Sequence, residues 1–325
     1  MSLRIGILGA AAIAPAAVLR PARRRDDVEV AAVAARSAER ADAYARQHGI
    51  ARAYGSYEEL VADPAIDLVY VALPNSLHAE WSIAALRAGK HVLCEKPFAM
   101  NATEARRMTE AAGETGRRLI EAFHDDYHPL AARTAELAAE IGPIRSVEAV
   151  FLVTNRFEPG ALRHEPSLGG GALMDLGCYA VHGVRRLLGE EPTVVSATAV
   201  LGPAGVDESI EARLEFPSGA IAMVRASMAA EFANWIRFES DTGRVEIEGV
   251  VFPARGHSIR SRISGVERVQ TVGGDETYDH QLAAIVQALK DGTPLPTEGD
   301  DPVANMVVID AIYAVAGVHR PVPTV

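Results

Sequence analysis

The chain reads as an α/β protein: a Rossmann doubly wound parallel sheet followed by an α+β domain with a large, mainly antiparallel open sheet. Three observations predict it. Up to residue 122, short apolar runs alternate with amphipathic runs, the rhythm of crossover units that build a parallel sheet. Those short runs are apolar throughout, as strands covered on both faces must be. Beyond residue 190, strand-like runs follow one another with only turns such as Pro217-Ser218-Gly219 and Asp241-Thr242-Gly243 between them, the pattern of an antiparallel sheet. A chain of 325 residues accommodates two domains, 1–123 and 124–325, with the C-terminal helix free to pack back on the first.

In order, Leu3 to Leu8 reads as a strand and Ile13 to Arg24 as a helix. Strand Val28 to Ala34 and helix Ser37 to His48 follow. Next come strand Ile66 to Leu73, helix Ser76 to Arg87, strand His91 to Cys94, helix Ala102 to Thr115 and strand Arg118 to Ala122. The rhythm then changes. Helix Leu130 to Glu140 leads to the long strand Ile144 to Thr154, a loop Asn155 to Leu168, and helix Gly171 to Leu188. Five strands succeed it: Thr193 to Leu201, Ser209 to Phe216, Ala220 to Ser227, Trp235 to Ser240 and Arg244 to Glu248. Helices Tyr278 to Leu289 and Pro302 to Ala316 close the chain.

The net charge of −11 speaks against a nucleic-acid or anionic-membrane surface, since both need a basic face that releases counterions. No apolar run reaches spanning length. The first strand opens at Leu3 with no secretory leader before it. Two cysteines without CxxC spacing predict a reducing, cytoplasmic setting rather than a disulfide framework. Lysine occurs only at Lys90, Lys96 and Lys290. Base composition explains that skew, yet a lysine can give up its proton near neutrality where an arginine cannot.

The first strand-to-helix turn is Gly9-Ala10-Ala11-Ala12-Ile13-Ala14, a G-x-A-x-x-A version of the dinucleotide fingerprint. Gly9 makes the tight turn, Ala11 admits the pyrophosphate, Ala14 permits close helix–strand packing, and Ala12 and Ile13 open the helix whose amides would face the phosphates. With two of the three glycines replaced, an ordinary βα turn fits equally well. The second strand ends in Ala34-Ala35-Arg36-Ser37, without the acidic residue that would bond an NAD ribose. Arg36 and Ser37 suit a 2′-phosphate, which favours NADP over NAD; a solvated charge at a helix start is the other reading. The third strand ends in Leu73-Pro74-Asn75-Ser76-Leu77-His78, at the edge where open α/β sheets bind ligands. Capping of the next helix explains Asn75 or Ser76 as well, and His78 fits either a cofactor contact or a plain helix-start histidine. The fourth strand ends in Cys94-Glu95-Lys96-Pro97, which puts Lys96 at the edge shared with the phosphate turn. A surface lysine is the bland reading, but Pro97 restricts the backbone and aims the side chain. A lysine near a nicotinamide can bond a substrate hydroxyl.

In the second half, Gly169-Gly170-Gly171 leads into a helix on which Asp175, Tyr179, His182 and Arg186 follow a four, three, four spacing and share a face. Leu173, Leu176, Ala180, Val184 and Leu187 would line the core face. A solvated stripe accounts for such a pattern too. Gly177 inside the helix implies a close approach, and Cys178 reads as a small packed residue. The ten histidines show no ligand spacing for a metal; His124 and His128 are the only pair one helical turn apart that draws notice.

Glu95-Lys96-Pro97, Pro74-Asn75-Ser76-Leu77-His78 and Gly169-Gly170-Gly171-Ala172-Leu173-Met174-Asp175-Leu176-Gly177 resemble the glucose–fructose oxidoreductase / inositol dehydrogenase / rhizopine catabolism family over nearly the whole chain. The resemblance implies that 1–123 binds the dinucleotide and that 124–325 carries the substrate site and a sheet through which homodimers or homotetramers form. It implies a catalytic group of Lys96, Asp175 and Tyr179. Tyr179 stands where the inositol dehydrogenase branch has histidine, which is similar to the glucose–fructose oxidoreductase and dihydrodiol dehydrogenase branch, whose members tend to use NADP. His182, Arg163 and Tyr127 are then the expected substrate contacts, and Glu95 and Lys96 join the cofactor site. The segment 123–129 departs from the family, whose members commonly carry an aromatic–Arg pair where Asp125-Asp126 stands. The implied reaction moves a hydride between nicotinamide and a secondary alcohol of a sugar, polyol or cyclic trans-diol. Tyr179 exchanges the proton, its phenolate favoured by the Lys96 ammonium, and Asp175 orients the lysine or a substrate hydroxyl. Two alternatives are a glycosidase working by transient ring oxidation and a non-catalytic NADP(H) sensor.

Overall fold

A computed structural model describes residues 2–155 and 157–320. The chain divides into two units, one of residues 1–123 with 278–303, the other of 124–277 with 304–325. The expected 124–325 domain is therefore interrupted. Helix Thr277–Asp291, not the terminal helix Asp301–Val315, brings its Tyr278, Leu282, Ile285 and Val286 into a core with Ile5, Ile7, Leu68 and Ile120.

The first unit is built on strands β1 (Leu3–Leu8), β2 (Val28–Ala34), β3 (Arg52–Tyr54), β4 (Leu68–Val71), β5 (His91–Cys94) and β6 (Leu119–Glu121). Their order is β3-β2-β1-β4-β5-β6 and every pairing is parallel. All strand C-termini thus share one edge, and the order reverses between β1 and β4, the switch point where doubly wound sheets bind ligands. β4 is buried at every position, as its unbroken apolar run requires. Two elements were not expected: β3, and helix Tyr57–Ala62, which is capped by Ser56. A three-residue strand and a six-residue helix carry too little periodicity to register in sequence. The expected helix Ile13 to Arg24 is instead a wide π turn, Pro15–Leu19, followed by the short helix Arg20–Arg23. Pro15 lies in the first turn, where its missing N–H costs nothing.

The second unit holds β7 (Ser146–Thr154), β8 (Thr193–Leu201), β9 (Asp207–Glu215), β10 (Ile221–Ser227), β11 (Ala229–Glu239), β12 (Gly243–Glu248), β13 (Ser258–Ile263) and β14 (Val266–Gln270). The order is β14-β13-β12-β11-β7-β10-β9-β8. β7 and β10 pair parallel; the other neighbours run antiparallel. β13 and β14 were not anticipated, because only Ile259 and Ser261 of this charged hairpin turn inward. Helix Cys178–Leu188 lies against β7 and β10. Val195, Val200, Leu201, Phe232, Val266 and Val269 are large apolar side chains left exposed on these strands.

Candidate functional site

In the first unit the turn after β1 depends on Gly9. Its φ is +102°, and an added Cβ would lie 2.5 Å from the Ala72 carbonyl oxygen at the end of β4. Gly9 N–H closes the β1–β2 edge by donating to Ala34 O at 2.9 Å. The small residues that follow leave the main chain open: Ala11 is half-buried, Ala12 exposed, and Ile13 keeps 36% of its surface. That turn fits a pyrophosphate. Arg36 is exposed at the end of β2, and Ser37 caps helix Ala38–His48 by accepting from Arg40 N at 3.3 Å. Ser37 thus serves as a helix cap, and its hydroxyl proton stays available to an acceptor.

Two further residues reach the same turn. Arg40 donates to Ala10 O at 3.5 Å and the Tyr44 hydroxyl to Ala11 O at 2.9 Å. The Tyr57 hydroxyl lies within the influence of the Arg36 and Arg40 charges; burial raises its pKa, and the two guanidinium groups oppose the rise. Arg36, Arg40 and Tyr44 are spaced four apart. Arg40 and Tyr44 lie one turn apart on helix Ala38–His48, and that i, i+4 spacing is the signal that would have found them.

At the end of β4 the N-cap positions fall on neither Asn75 nor Ser76. The cap positions of the two short helices, Pro74 and Leu77, make no side-chain cap bond. Asn75 is buried, beside Leu73 and Pro74. His78, read as a cofactor contact or a helix-start residue, serves the loops instead. It is fully buried, with Nε2 3.0 Å from Leu73 O and Nδ1 3.0 Å from Pro97 O. It thereby joins the exits of β4 and β5. Burial pushes its pKa down to about 4, against the backbone groups of Leu73, Pro97 and Phe98, which favour the imidazolium. Glu95 is held by Tyr70, whose hydroxyl donates to Oε1 at 2.5 Å, while the Lys96 N–H donates to Oε2 at 3.3 Å. Burial raises the Glu95 carboxyl above its ordinary range, and Tyr70 and Lys96 work against the rise. Lys96 itself is half-buried at the C-terminal edge of β5.

In the second unit the triple glycine gives the helix its start. Gly171 has φ +121°, and a Cβ there would collide with Asp207 Oδ1. Asp207 accepts from Leu173 N and from the Tyr313 hydroxyl, each at 2.7 Å. Burial pushes this carboxyl up to about 6. The first turn of the expected helix is a π turn, Leu173–Gly177, and the α-helix runs from Cys178 to Leu188. The close approach implied by Gly177 is that of Ala226 on β10, whose Cβ lies 3.1 Å from where a Gly177 Cβ would stand. Cys178 is buried.

The polar stripe is not a solvated face. Three of its members turn to the segment His124–Tyr127. Tyr179 Oη lies 3.3 Å from His124 Nε2. His182 Nε2 and Arg186 Nε each lie 3.1 Å from Asp126 Oδ2. Burial works against the Asp126 carboxylate, but His182 and Arg186 outweigh it and hold its pKa below the usual range. Asp175 is 3.8 Å from Arg163 Nε. His182 is only 1% exposed, which fits an inner support for Asp126 better than the expected substrate wall. Arg163 is exposed and Tyr127 half-buried. His128, the other histidine of the noted pair, caps helix Pro129–Ile141 by accepting from Leu130 N. Sequence reading missed the role of His124, and also Phe252, whose ring centroid is 5.5 Å from that of His124. Their separation along the chain leaves no pattern to detect.

Comparison with known proteins places these features in a family. Residues 3–123 match the oxidoreductase family with an NAD-binding Rossmann fold, and residues 130–249 match that family's C-terminal domain. The chain belongs to this family of oxidoreductases. It is 38% identical over 316 residues to D-xylose 1-dehydrogenase (NADP(+)) 2 of Haloferax volcanii, 96% of each chain being covered. It is 38% identical to the trans-1,2-dihydrobenzene-1,2-diol dehydrogenase of Xenopus laevis, over 68% of this chain and 67% of the relative. The crystal structure of aldose-aldose oxidoreductase from Caulobacter crescentus, complexed with glycerol, superposes with a TM-score of 0.90 at 29% identity, covering 98% of both chains. No helix among the described residues is long and apolar enough to cross a membrane.

Proposed function

We propose that the protein is an NADP(H)-dependent dehydrogenase or reductase. It moves a hydride between nicotinamide C4 and a hydroxyl-bearing ring carbon of a sugar, with polyols and cyclic trans-diols as the wider substrate class. The observation that carries this reading is the position of Lys96. It sits at the C-terminal end of β5, on the strand edge that also presents the Gly9 turn. Arg36 and Ser37 at the end of β2, where NAD-specific sheets carry an acid, support the 2′-phosphate, as does the cofactor in the name of the Haloferax relative. Gly9, Ala11, Ala12 and Ile13 would hold the pyrophosphate, and Leu73, Pro74, Asn75 and Glu95 would line the nicotinamide side.

When bound, the nicotinamide supplies the hydride acceptor or donor. Lys96 bonds the substrate oxygen and stabilises its negative charge. Tyr179 takes the hydroxyl proton in oxidation and returns it in reduction. Asp175, beside Arg163, bonds a neighbouring substrate hydroxyl. Tyr127 and Arg163 complete the substrate contacts, with His182 behind them through Asp126. The exposed Val200, Phe232 and Val269 support assembly of homodimers or homotetramers through the second unit's sheet, and the thiol usage supports a cytoplasmic enzyme. Turnover of NADP+ against a panel of aldoses, polyols and trans-diols, with NAD+ run beside it, tests the reading. An aldose oxidised with NADP+ preferred is the expected result. The assignment to Tyr179 fails if Tyr179→Phe keeps full turnover on the substrate so found; a loss of about 10²- to 10⁴-fold in kcat is expected.

A further inference from the structure

We infer that His124 is the positioning residue for Tyr179, and that it accepts the proton Tyr179 gives up as the substrate hydroxyl is oxidised. The inference rests on the reading of Tyr179 as the proton-transfer group. Its own ground is a geometry within one unit. His124 is 1% exposed, Tyr179 is 9% exposed, and Nε2 faces Oη at 3.3 Å. Rings enclose the pair. Phe252 lies 5.5 Å from His124 and tilted to it, Phe151 meets Tyr179 edge-on at 5.7 Å, and Phe151 and Phe252 are 6.5 Å apart. Arg255 covers the outer face of Phe252 at 4.4 Å.

Such an enclosure does two things. It fixes the Tyr179 ring in one orientation, since two χ angles are held by edge-on and tilted contacts. It also lowers the local dielectric, so a phenol–imidazole bond is stronger there and a bare phenolate costs more. Passing the phenol proton to His124 removes that cost. In oxidation the carbinol carbon gives its hydride to the bound nicotinamide, and its O–H bond breaks as that proton joins Tyr179 Oη. The proton Oη already carried moves to Nε2 of the neutral imidazole. The products are a ketone or lactone, a neutral phenol and an imidazolium; reduction reverses each transfer. The charged groups around the pair are Asp125 and Asp126 on the same short helix, Asp175 on the π turn before the helix bearing Tyr179, and His182 and Arg186 on that helix. Arg255 stands beyond Phe252.

The test compares kcat, KM and pH profiles for the wild type, Tyr179→Phe, His124→Phe and His124→Gln. His124→Phe keeps the stacking and removes the nitrogen; His124→Gln keeps a hydrogen-bonding group that takes up no proton. Both His124 variants are expected to lose about tenfold or more in kcat with KM changed by less than about threefold. Both should also lose the acidic limb of the oxidation profile, which a purely structural role would leave in place. If Tyr179→Phe is inactive while either His124 variant matches the wild-type profile, the inference is overturned and the role of Tyr179 stands. If Tyr179→Phe is fully active, both fall together. A proton inventory on the wild type needs no variant: two protons in flight give a bowed plot against deuterium fraction, and a straight line refutes the relay.

Discussion

A buried base in the first unit and a buried acid in the second shift in opposite senses. In the first, His78 lies between the exits of β4 and β5 and is held neutral by burial, its pKa down to about 4. In the second, Asp207 lies under the glycine-rich helix start and is raised to about 6, again by burial. Each fixes a loop that carries a proposed functional group: Lys96 lies next to Pro97, whose carbonyl His78 meets, and Asp175 follows Leu173, whose N–H Asp207 accepts. A buried base and a buried acid do the same mechanical work with opposite proton linkage. Desolvation disfavours whichever form is charged, so it lowers the pKa of one and raises that of the other.

The sharpest way to test the contrast between the two units is to remove their central groups in turn. Lys96→Met should lower kcat by about 10²- to 10⁴-fold, comparable to Tyr179→Phe, if substrate activation comes from the first unit and proton transfer from the second. Fluorescence titration with NADPH should show binding nearly unchanged. A variant with normal kcat would leave the first unit as a cofactor holder only.

Next in size is the pH response. The folded His78 binds its proton less readily than the unfolded chain does. It therefore adds stability that is present above the unfolded value near 6.5 and lost as pH falls toward 4, by up to about 3 kcal/mol. Asp207 has the reverse sign. Its contribution is present below about pH 4 and lost as pH rises through 6, by about the same amount. Between pH 4 and 6 the two slopes oppose each other. His78→Gln should leave the Asp207 slope uncovered, so that stability falls with rising pH there; Asp207→Asn should steepen the acid loss. Denaturant unfolding across that range, with amide exchange followed in each unit, reads both effects. Parallel slopes in the two variants would refute the contrast.

The smallest effect expected concerns the cofactor edge. Arg36→Ala should weaken NADP+ more than NAD+, by about tenfold to a hundredfold in the ratio of kcat/KM, as loss of a charge-assisted phosphate contact does. An unchanged ratio would shift that role to Arg40, whose guanidinium lies against the Ala10 carbonyl.

How much could be read beforehand differs between the units for a physical reason. β2, β5 and helix Ala102–Thr115 run between the residues their patterns predict, because a strand covered on both faces must be apolar throughout and a capped amphipathic helix announces its ends. The Gly9 turn and Lys96 lie in sequence next to the strands that place them. β3, β13 and β14 were missed, being short or half-polar. The spacing of Asp175, Tyr179, His182 and Arg186 was visible, yet a π turn sets its start and only folding shows what it faces.

The sequence by itself determined the parallel sheet, the switch-point edge, the lysine on it and the polar row on the second helix. These are local facts, set by periodicity and by residues a few positions apart. Tertiary structure alone decided that His78 braces two loops, that Asp126 gathers His182 and Arg186, and that His124 meets Tyr179 at 3.3 Å. Apart from the Leu73 contact of His78, five residues back, those pairs are 19 to 60 residues apart in the chain. No spacing rule links them; what joins them is the cost of leaving a buried polar group without a partner.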